Sequence, residues 1–215
     1  MAGAVGGRRI DVPRSGTRPT SERVREALFA RLEHYNLLRG ARVLDLCAGS
    51  GALGLEAASR GATDVTLVDS SRTATQVCER NIRSLGLSGV RAVTAKAATF
   101  LAGAAGAPAD LVLIDPPYDL DEEGVRAVLE PLTRHEDPWL EARSVVVLER
   151  STRAPEPVWP AGMRCLADKT YGETRLWFAE LDTPEEPASE RGACGLLGPQ
   201  AQVYFLGGVV NGLGR

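Results

Sequence analysis

Residues 45–54 read Asp-Leu-Cys-Ala-Gly-Ser-Gly-Ala-Leu-Gly, placing Gly49, Gly51 and Gly54 in G-x-G-x-x-G spacing, and Asp69 follows Gly49 by 20 residues. Glycines permit a tight turn that a ligand can approach along the backbone, and a carboxylate at that later position can accept two hydrogen bonds from ribose hydroxyls. The pair predicts a nucleoside-containing cofactor. Nicotinamide dinucleotides and S-adenosylmethionine both use this geometry, and Asp45 is the first residue to separate them. At the mouth of a strand its carboxylate repels a pyrophosphate but can receive the ammonium of a methionine moiety, directly or through water.

A second constellation, Asp115-Pro116-Pro117-Tyr118, decides between them. The exocyclic amine of a nucleobase is a poor nucleophile because its lone pair is delocalised into the ring. To attack a methyl group it must pyramidalise, and acceptors for its two N–H bonds favour that change. Asp115 supplies one acceptor and the Pro116 carbonyl the other, while the prolines fix φ and hold that carbonyl in place. Tyr118 can stack on a base extruded from its helix. The predicted chemistry is methyl transfer from S-adenosylmethionine to a nucleobase amine.

Both constellations must sit at one edge of a common frame. Strands are expected over 42–48, 64–69, 90–95, 109–115 and 144–149, alternating with helices over 53–60, 72–85, 97–102 and 122–133. Strands that are apolar almost throughout and alternate with helices predict an α/β fold, a Rossmann-like, mostly parallel doubly wound sheet. Such a sheet binds ligands at the carboxyl ends of its strands, which is where the two motifs fall. Residues 164–168 and 174–181 read as a closing antiparallel hairpin. Upstream, Thr20 or Ser21 can cap a helix whose apolar face is Val24, Ala27, Leu28 and Leu32. The expected organisation is a basic arm and helix over 1–40 with little core in its first twenty residues, a methyltransferase domain over 41–182, and a tail over 183–215.

The chain of 215 residues has a formal net charge of −3, which argues against a uniform nucleic-acid coat. Its distribution is uneven. Residues 1–42 hold nine arginines against four acids, net +5, leaving −8 on the remainder. A basic end on an acidic body predicts local docking of a phosphate-bearing partner. Cys47, Cys78, Cys165 and Cys194 are scattered, with no metal-ligand spacing to one another or to His34 and His135. No metal is therefore expected, and Cys47, in the cofactor loop, is read as structural. No apolar run approaches the ~18 residues of a membrane span, so a cytoplasmic protein without a membrane partner is expected.

The Asp-Pro-Pro-Tyr signature is similar to that of S-adenosylmethionine-dependent amino-methyltransferases. Over about residues 3–180 the chain resembles the ribosomal RNA small subunit methyltransferase D family, which methylates a guanine N2 amine in 16S ribosomal RNA. The resemblance rests on Gly6-Gly7-Arg8-Arg9, Thr17-Arg18-Pro19-Thr20 with the segment from Arg23 to Phe29, the two motifs above, and Tyr171-Gly172-Glu173-Thr174. It implies that Asp115, Pro116, Pro117 and Tyr118 hold the target guanine. It implies that Asp45 and the loop Ala48, Gly49, Ser50 and Gly51 surround the methionine end of the cofactor, with Asp69 and Ser70 at its ribose. Arg8, Arg9, Arg18, Thr20, Arg23 and Arg25 would help bind the RNA, alone or in an assembling small subunit. Where the family tends to carry an Asp or Asn after the third strand, this chain has Lys96, so the adenine is expected to meet backbone groups near Lys96 and Ala97. Other readings are a different target amine such as adenine N6, a nicotinamide oxidoreductase, and a catalytically silent RNA-binding module.

Overall fold

A computed structural model of the protein describes residues 1–12 and 22–182. The expected cap at Thr20 or Ser21, the RNA contacts assigned to Arg18 and Thr20, and the expected tail lie outside the described residues. Seven strands, β1 (Arg42–Leu46), β2 (Asp64–Asp69), β3 (Val90–Thr94), β4 (Leu111–Ile114), β5 (Val145–Ser151), β6 (Met163–Tyr171) and β7 (Thr174–Leu181), form one sheet in the order β3-β2-β1-β4-β5-β7-β6. The pairs among β1 to β5 are parallel, and β7 runs antiparallel to both β5 and β6. The helices are α1 (Glu22–His34), α2 (Ala52–Ser59), α3 (Arg72–Leu85), α4 (Ala97–Leu101) and α5 (Glu122–Leu129). This is the doubly wound sheet with a closing hairpin that the sequence pattern implies.

Strand alternation builds two cores from one sheet. Val43, Leu67, Leu111 and Leu113 point into one helix layer, and Leu44, Leu46, Val112 and Ile114 into the other. Because both faces are covered, these strands carry no polar stripe. The chain steps outward from β1 to β3 and then returns to place β4 on the other side of β1. The topological switch point therefore lies at the carboxyl ends of β1 and β4.

Element ends differ from the sequence pattern for local reasons. β1 stops at Leu46, because Cys47 takes a left-handed φ of 67° and turns the chain into the loop. The expected helix over 122–133 is α-helical only to Leu129 and finishes as a 3-10 turn over 130–133, where Pro131 offers no N–H to continue the ladder.

The start of the chain departs most from expectation. Residues 1–12 are docked along α2 and α3, with Met1, Val5 and Ile10 packed against the core. The Ala2 amide donates to Glu56 Oε1 at 3.0 Å, the Val5 amide donates to Ser59 Oγ at 3.1 Å, and Ser59 Oγ donates to the Ala2 carbonyl. These bonds join arm backbone to helix side chains, so no periodicity in the arm itself announces them. Helix α1 buries Val24, Leu28, Phe29 and Leu32 in the same core as Val43 and Leu55, with Phe29 added to the expected face.

Glu56 anchors this corner. It is 2% exposed, its Oε1 accepts from Arg60 Nε at 2.8 Å, and its Oε2 lies 3.6 Å from Arg25 Nε. Glu56→Ala would leave two largely buried guanidinium groups without their shared anion. We expect a loss of about 3 kcal/mol, read as a lower urea midpoint at unchanged slope.

Candidate active site

Three local features hold the carboxyl ends of the central strands in register. The Ala48 amide donates to the Val68 carbonyl at 2.9 Å, Ala95 to Asp69 at 3.0 Å, and Asp115 to Leu46 at 3.4 Å. These bonds tie the loops after β1, β3 and β4 to neighbouring strand ends. They surround a cavity of about 980 Å³ that both sequence motifs line.

The glycines of the loop have separate tasks. Gly51 opens α2 with φ at 81° and donates to the Ala48 carbonyl at 2.7 Å, closing the turn behind the cavity rather than lining it. At Gly54 a Cβ would stand 2.3 Å from Leu67 Cδ2 and 3.1 Å from Asp45 Oδ2. The missing side chain lets α2 press on β1 and β2, and brings the Gly54 amide to 2.8 Å from Asp45 Oδ2. Leu67 is fully buried and cannot swing away, so Gly54→Ala should destabilise the fold by about 1–3 kcal/mol, measurable by denaturant unfolding.

Asp45 is the most constrained group in the site. It is 1% exposed and lines the cavity, and its Oδ1 has no hydrogen-bond partner. Burial pushes its carboxyl up to about 7; the Gly54 amide works against that rise, and the nearby Asp115 and Asp69 carboxylates add to it. A cation brought to Oδ1 would supply the missing partner and relieve the like-charge repulsion. This unpaired acceptor thus fits the ammonium at the methionine end of S-adenosylmethionine.

Asp69 accepts the Gly49 amide on Oδ2 and the Ser71 amide on Oδ1, both at 2.8 Å. Each carboxylate oxygen retains capacity for another donor, as ribose hydroxyls require. Ala48, Gly49, Ser50 and Ser70 also line the cavity. Lys96 stands on its wall with an exposed side chain as the N-cap residue of α4, followed by Ala97. On the opposite wall Asp115 is half-buried, Pro116 is buried, and Tyr118 is 65% exposed at the mouth. An aromatic ring left in water beside a cavity is suited to stacking.

Cys47 also lines the cavity, but its thiol is pushed up to about 12, chiefly by burial and then by Asp69, Asp45 and Asp115. It stays protonated at neutral pH and is no nucleophile. Val12 and Leu120 line the cavity too, and sequence reasoning missed both. Neither belongs to a motif; Val12 is an apolar residue 55% exposed at the end of the docked arm, a placement that only the fold reveals.

The basic residues are not gathered in the same way. Arg8, Arg9 and Arg23 are exposed; Arg8 also donates to the carbonyls of Ser84 and Leu85 at 3.2 Å, and Arg25 faces Glu56. Among the described residues, no group of three His, Cys, Asp or Glu could hold a metal ion, and no helix is long and apolar enough to cross a membrane.

Comparison with known proteins agrees with the fold. The family described as "Conserved hypothetical protein 95" matches residues 1–180. Ribosomal RNA small subunit methyltransferase D of Escherichia coli (strain K12) is 35% identical over 185 residues, covering 84% of this chain and 89% of that protein. Its namesake from Haemophilus influenzae is 32% identical over 178 residues, covering 80% of this chain and 88% of that protein. The solved structure of yhhF from Escherichia coli superposes with a TM-score of 0.72 at 33% identity, covering 86% of this chain and 97% of that one. With its doubly wound sheet, its glycine loop and its Asp-Pro-Pro-Tyr wall, the chain belongs to the ribosomal RNA small subunit methyltransferase D family.

Proposed function

We propose that the protein transfers a methyl group from S-adenosylmethionine to the N2 amine of a specific guanine in 16S ribosomal RNA, alone or within an assembling small subunit in the cytoplasm. The observation that carries this reading is the meeting, in one cavity, of Asp45 with its unpaired oxygen, Asp69, and Asp115 to Tyr118. The relatives named as small-subunit ribosomal RNA methyltransferases support the substrate class.

The cofactor supplies an electrophilic methyl on a cationic sulfur; the chain's own residues do the rest. Asp45 and the backbone of Ala48 to Ser50 receive the methionine end, with Gly51 closing the turn behind them, Asp69 receives the ribose, and backbone groups near Lys96 and Ala97 the adenine. The Asp115 carboxylate and the Pro116 carbonyl accept the two N–H bonds of the target amine, turning its lone pair out of the ring. Tyr118 holds the extruded base by its face. On taking up the methyl group the amine nitrogen gives up one N–H proton along its hydrogen bond to the Asp115 carboxylate, from which it passes to solvent. Catalysis comes mainly from positioning, which can supply ~7–11 kcal/mol.

Arg9 and Arg23 lead the RNA contacts, with Arg8, Arg18, Thr20 and Arg25 completing the basic end. Calorimetry should show S-adenosylmethionine binding and no nicotinamide dinucleotide binding; the reverse result would establish an oxidoreductase. RNA affinity should fall with salt at a log–log slope of about −0.7 for each single-strand phosphate that the protein neutralises, and Arg9→Ala with Arg23→Ala should reduce that slope. An unchanged slope would remove the basic end from RNA binding.

A further inference from the structure

Asn81, on α3, lies outside both sequence motifs, yet it is 1% exposed and its amide is fully committed. Its Nδ2 donates to the Ser50 carbonyl in the cofactor loop at 2.9 Å and to the Asp11 carbonyl in the arm at 3.0 Å; its Oδ1 accepts the Asp11 amide at 2.8 Å. One turn earlier on the same helix face, the Cys78 thiol donates to the Gly49 carbonyl at 3.3 Å. Arg8 holds the arm to the far end of α3 through the Ser84 and Leu85 carbonyls. The arm therefore runs along α3 from its carboxyl end to the cavity. Both Ser50 and Val12, the residue after Asp11, stand on the cavity wall.

We infer that Asn81 is a positioning residue that couples the arm to the cofactor loop, so that RNA on the basic end and cofactor in the cavity strengthen each other's binding. The inference rests on the RNA-docking role proposed above for that end. The physical basis is a single buried side chain serving two backbones. An arm pinned by RNA fixes Asp11, Asp11 holds the carboxamide by two bonds, and the third bond holds the Ser50 carbonyl in the loop. An arm free to lift leaves that amide with unmet polar atoms, which is costly in a buried site. By linkage the strengthening must be the same factor in both directions.

The test uses the full-length protein, S-adenosylmethionine and small-subunit ribosomal RNA, with cofactor affinity measured by calorimetry with and without saturating RNA. In the wild type, RNA should tighten cofactor binding about tenfold, and cofactor should tighten RNA binding equally. Asn81→Asp keeps the acceptor and loses both donors, so it should weaken cofactor binding about fivefold and bring the coupling factor to one. Asp11→Pro removes the amide that Asn81 accepts, on the exposed arm and away from the core. It should leave cofactor affinity without RNA within about twofold while lowering the coupling factor, since only the bond to the residue 11 carbonyl remains, and it keeps the test decisive if Asn81→Asp fails to fold. Loss of coupling with RNA still bound supports the inference, because lost stability alone would not remove a ratio of affinities. Unchanged coupling in Asp11→Pro, or a wild-type factor of one with RNA bound, overturns it and leaves RNA docking intact. Failure of the wild type to bind RNA overturns both.

Discussion

Asp115→Ala is expected to lower turnover by about a thousandfold, the scale set by removing a preorganised polar group aimed at a reacting centre, while cofactor affinity stays within about threefold. The carboxylate is half-buried on the wall that carries Pro116 and Tyr118. Its proposed task exists only while the amine's nitrogen changes shape. Losing it should therefore appear in kcat far more than in cofactor binding. Asp115→Asn keeps an acceptor of similar size and should recover part of the loss. A full-speed Asp115→Ala enzyme would remove the residue from the chemistry.

Asp45→Asn is expected to act in opposite directions on stability and on binding. The amide can still accept the Gly54 N–H, but it carries no charge to be desolvated. A carboxyl whose folded value is raised to about 7 from an ordinary 3.8 binds its proton more tightly in the folded chain. Its contribution to stability is therefore fully present below about pH 4 and is lost as pH rises through about 7. The stability difference between Asp45→Asn and wild type should grow in the variant's favour across that window and level off above it, as read by urea unfolding at several pH values. Cofactor affinity should move the other way, falling roughly ten- to a hundredfold in the variant at pH 8 as a charge-assisted hydrogen bond is removed. Wild-type affinity should rise with pH up to about 7, as the carboxyl ionises. Equal binding by the two proteins at pH 8 would show that Oδ1 does not meet the cofactor's cationic end.

Much of the frame was legible because burial on both faces leaves a plain mark. β1, β2, β4 and β5 are short apolar runs; Gly61 follows the Arg60 cap of α2 and Gly86 caps the end of α3, while Ser71 and Asp121 cap the starts of α3 and α5. The two motifs were legible as well, since glycine spacing and a Pro-Pro pair are properties of sequence. What Gly54 does was not. The pattern suggests an approach by ligand, whereas the structure shows an approach by helix, with the amide delivered to Asp45. The unpaired oxygen of Asp45 is a consequence of that packing and has no sequence signature. The arm was illegible for a related reason: its partners, Glu56, Ser59 and Asn81, lie on α2 and α3, more than 50 residues away. Charge counting likewise grouped Arg8 and Arg25 with Arg9 and Arg23, although the first two hold carbonyls and a buried carboxylate within the protein.

The proposed activity marks one atom of one nucleotide. Incubating the protein with S-adenosylmethionine labelled in its methyl group and with undermethylated small ribosomal subunits, then digesting the RNA and mapping the label, reads that atom directly. Label is expected on the N2 amine of a single guanine of 16S ribosomal RNA, with almost none transferred by Asp115→Ala. Label on adenine N6 or on a pyrimidine carbon would contradict the target, and absence of label from a protein that binds both RNA and cofactor would contradict catalysis itself.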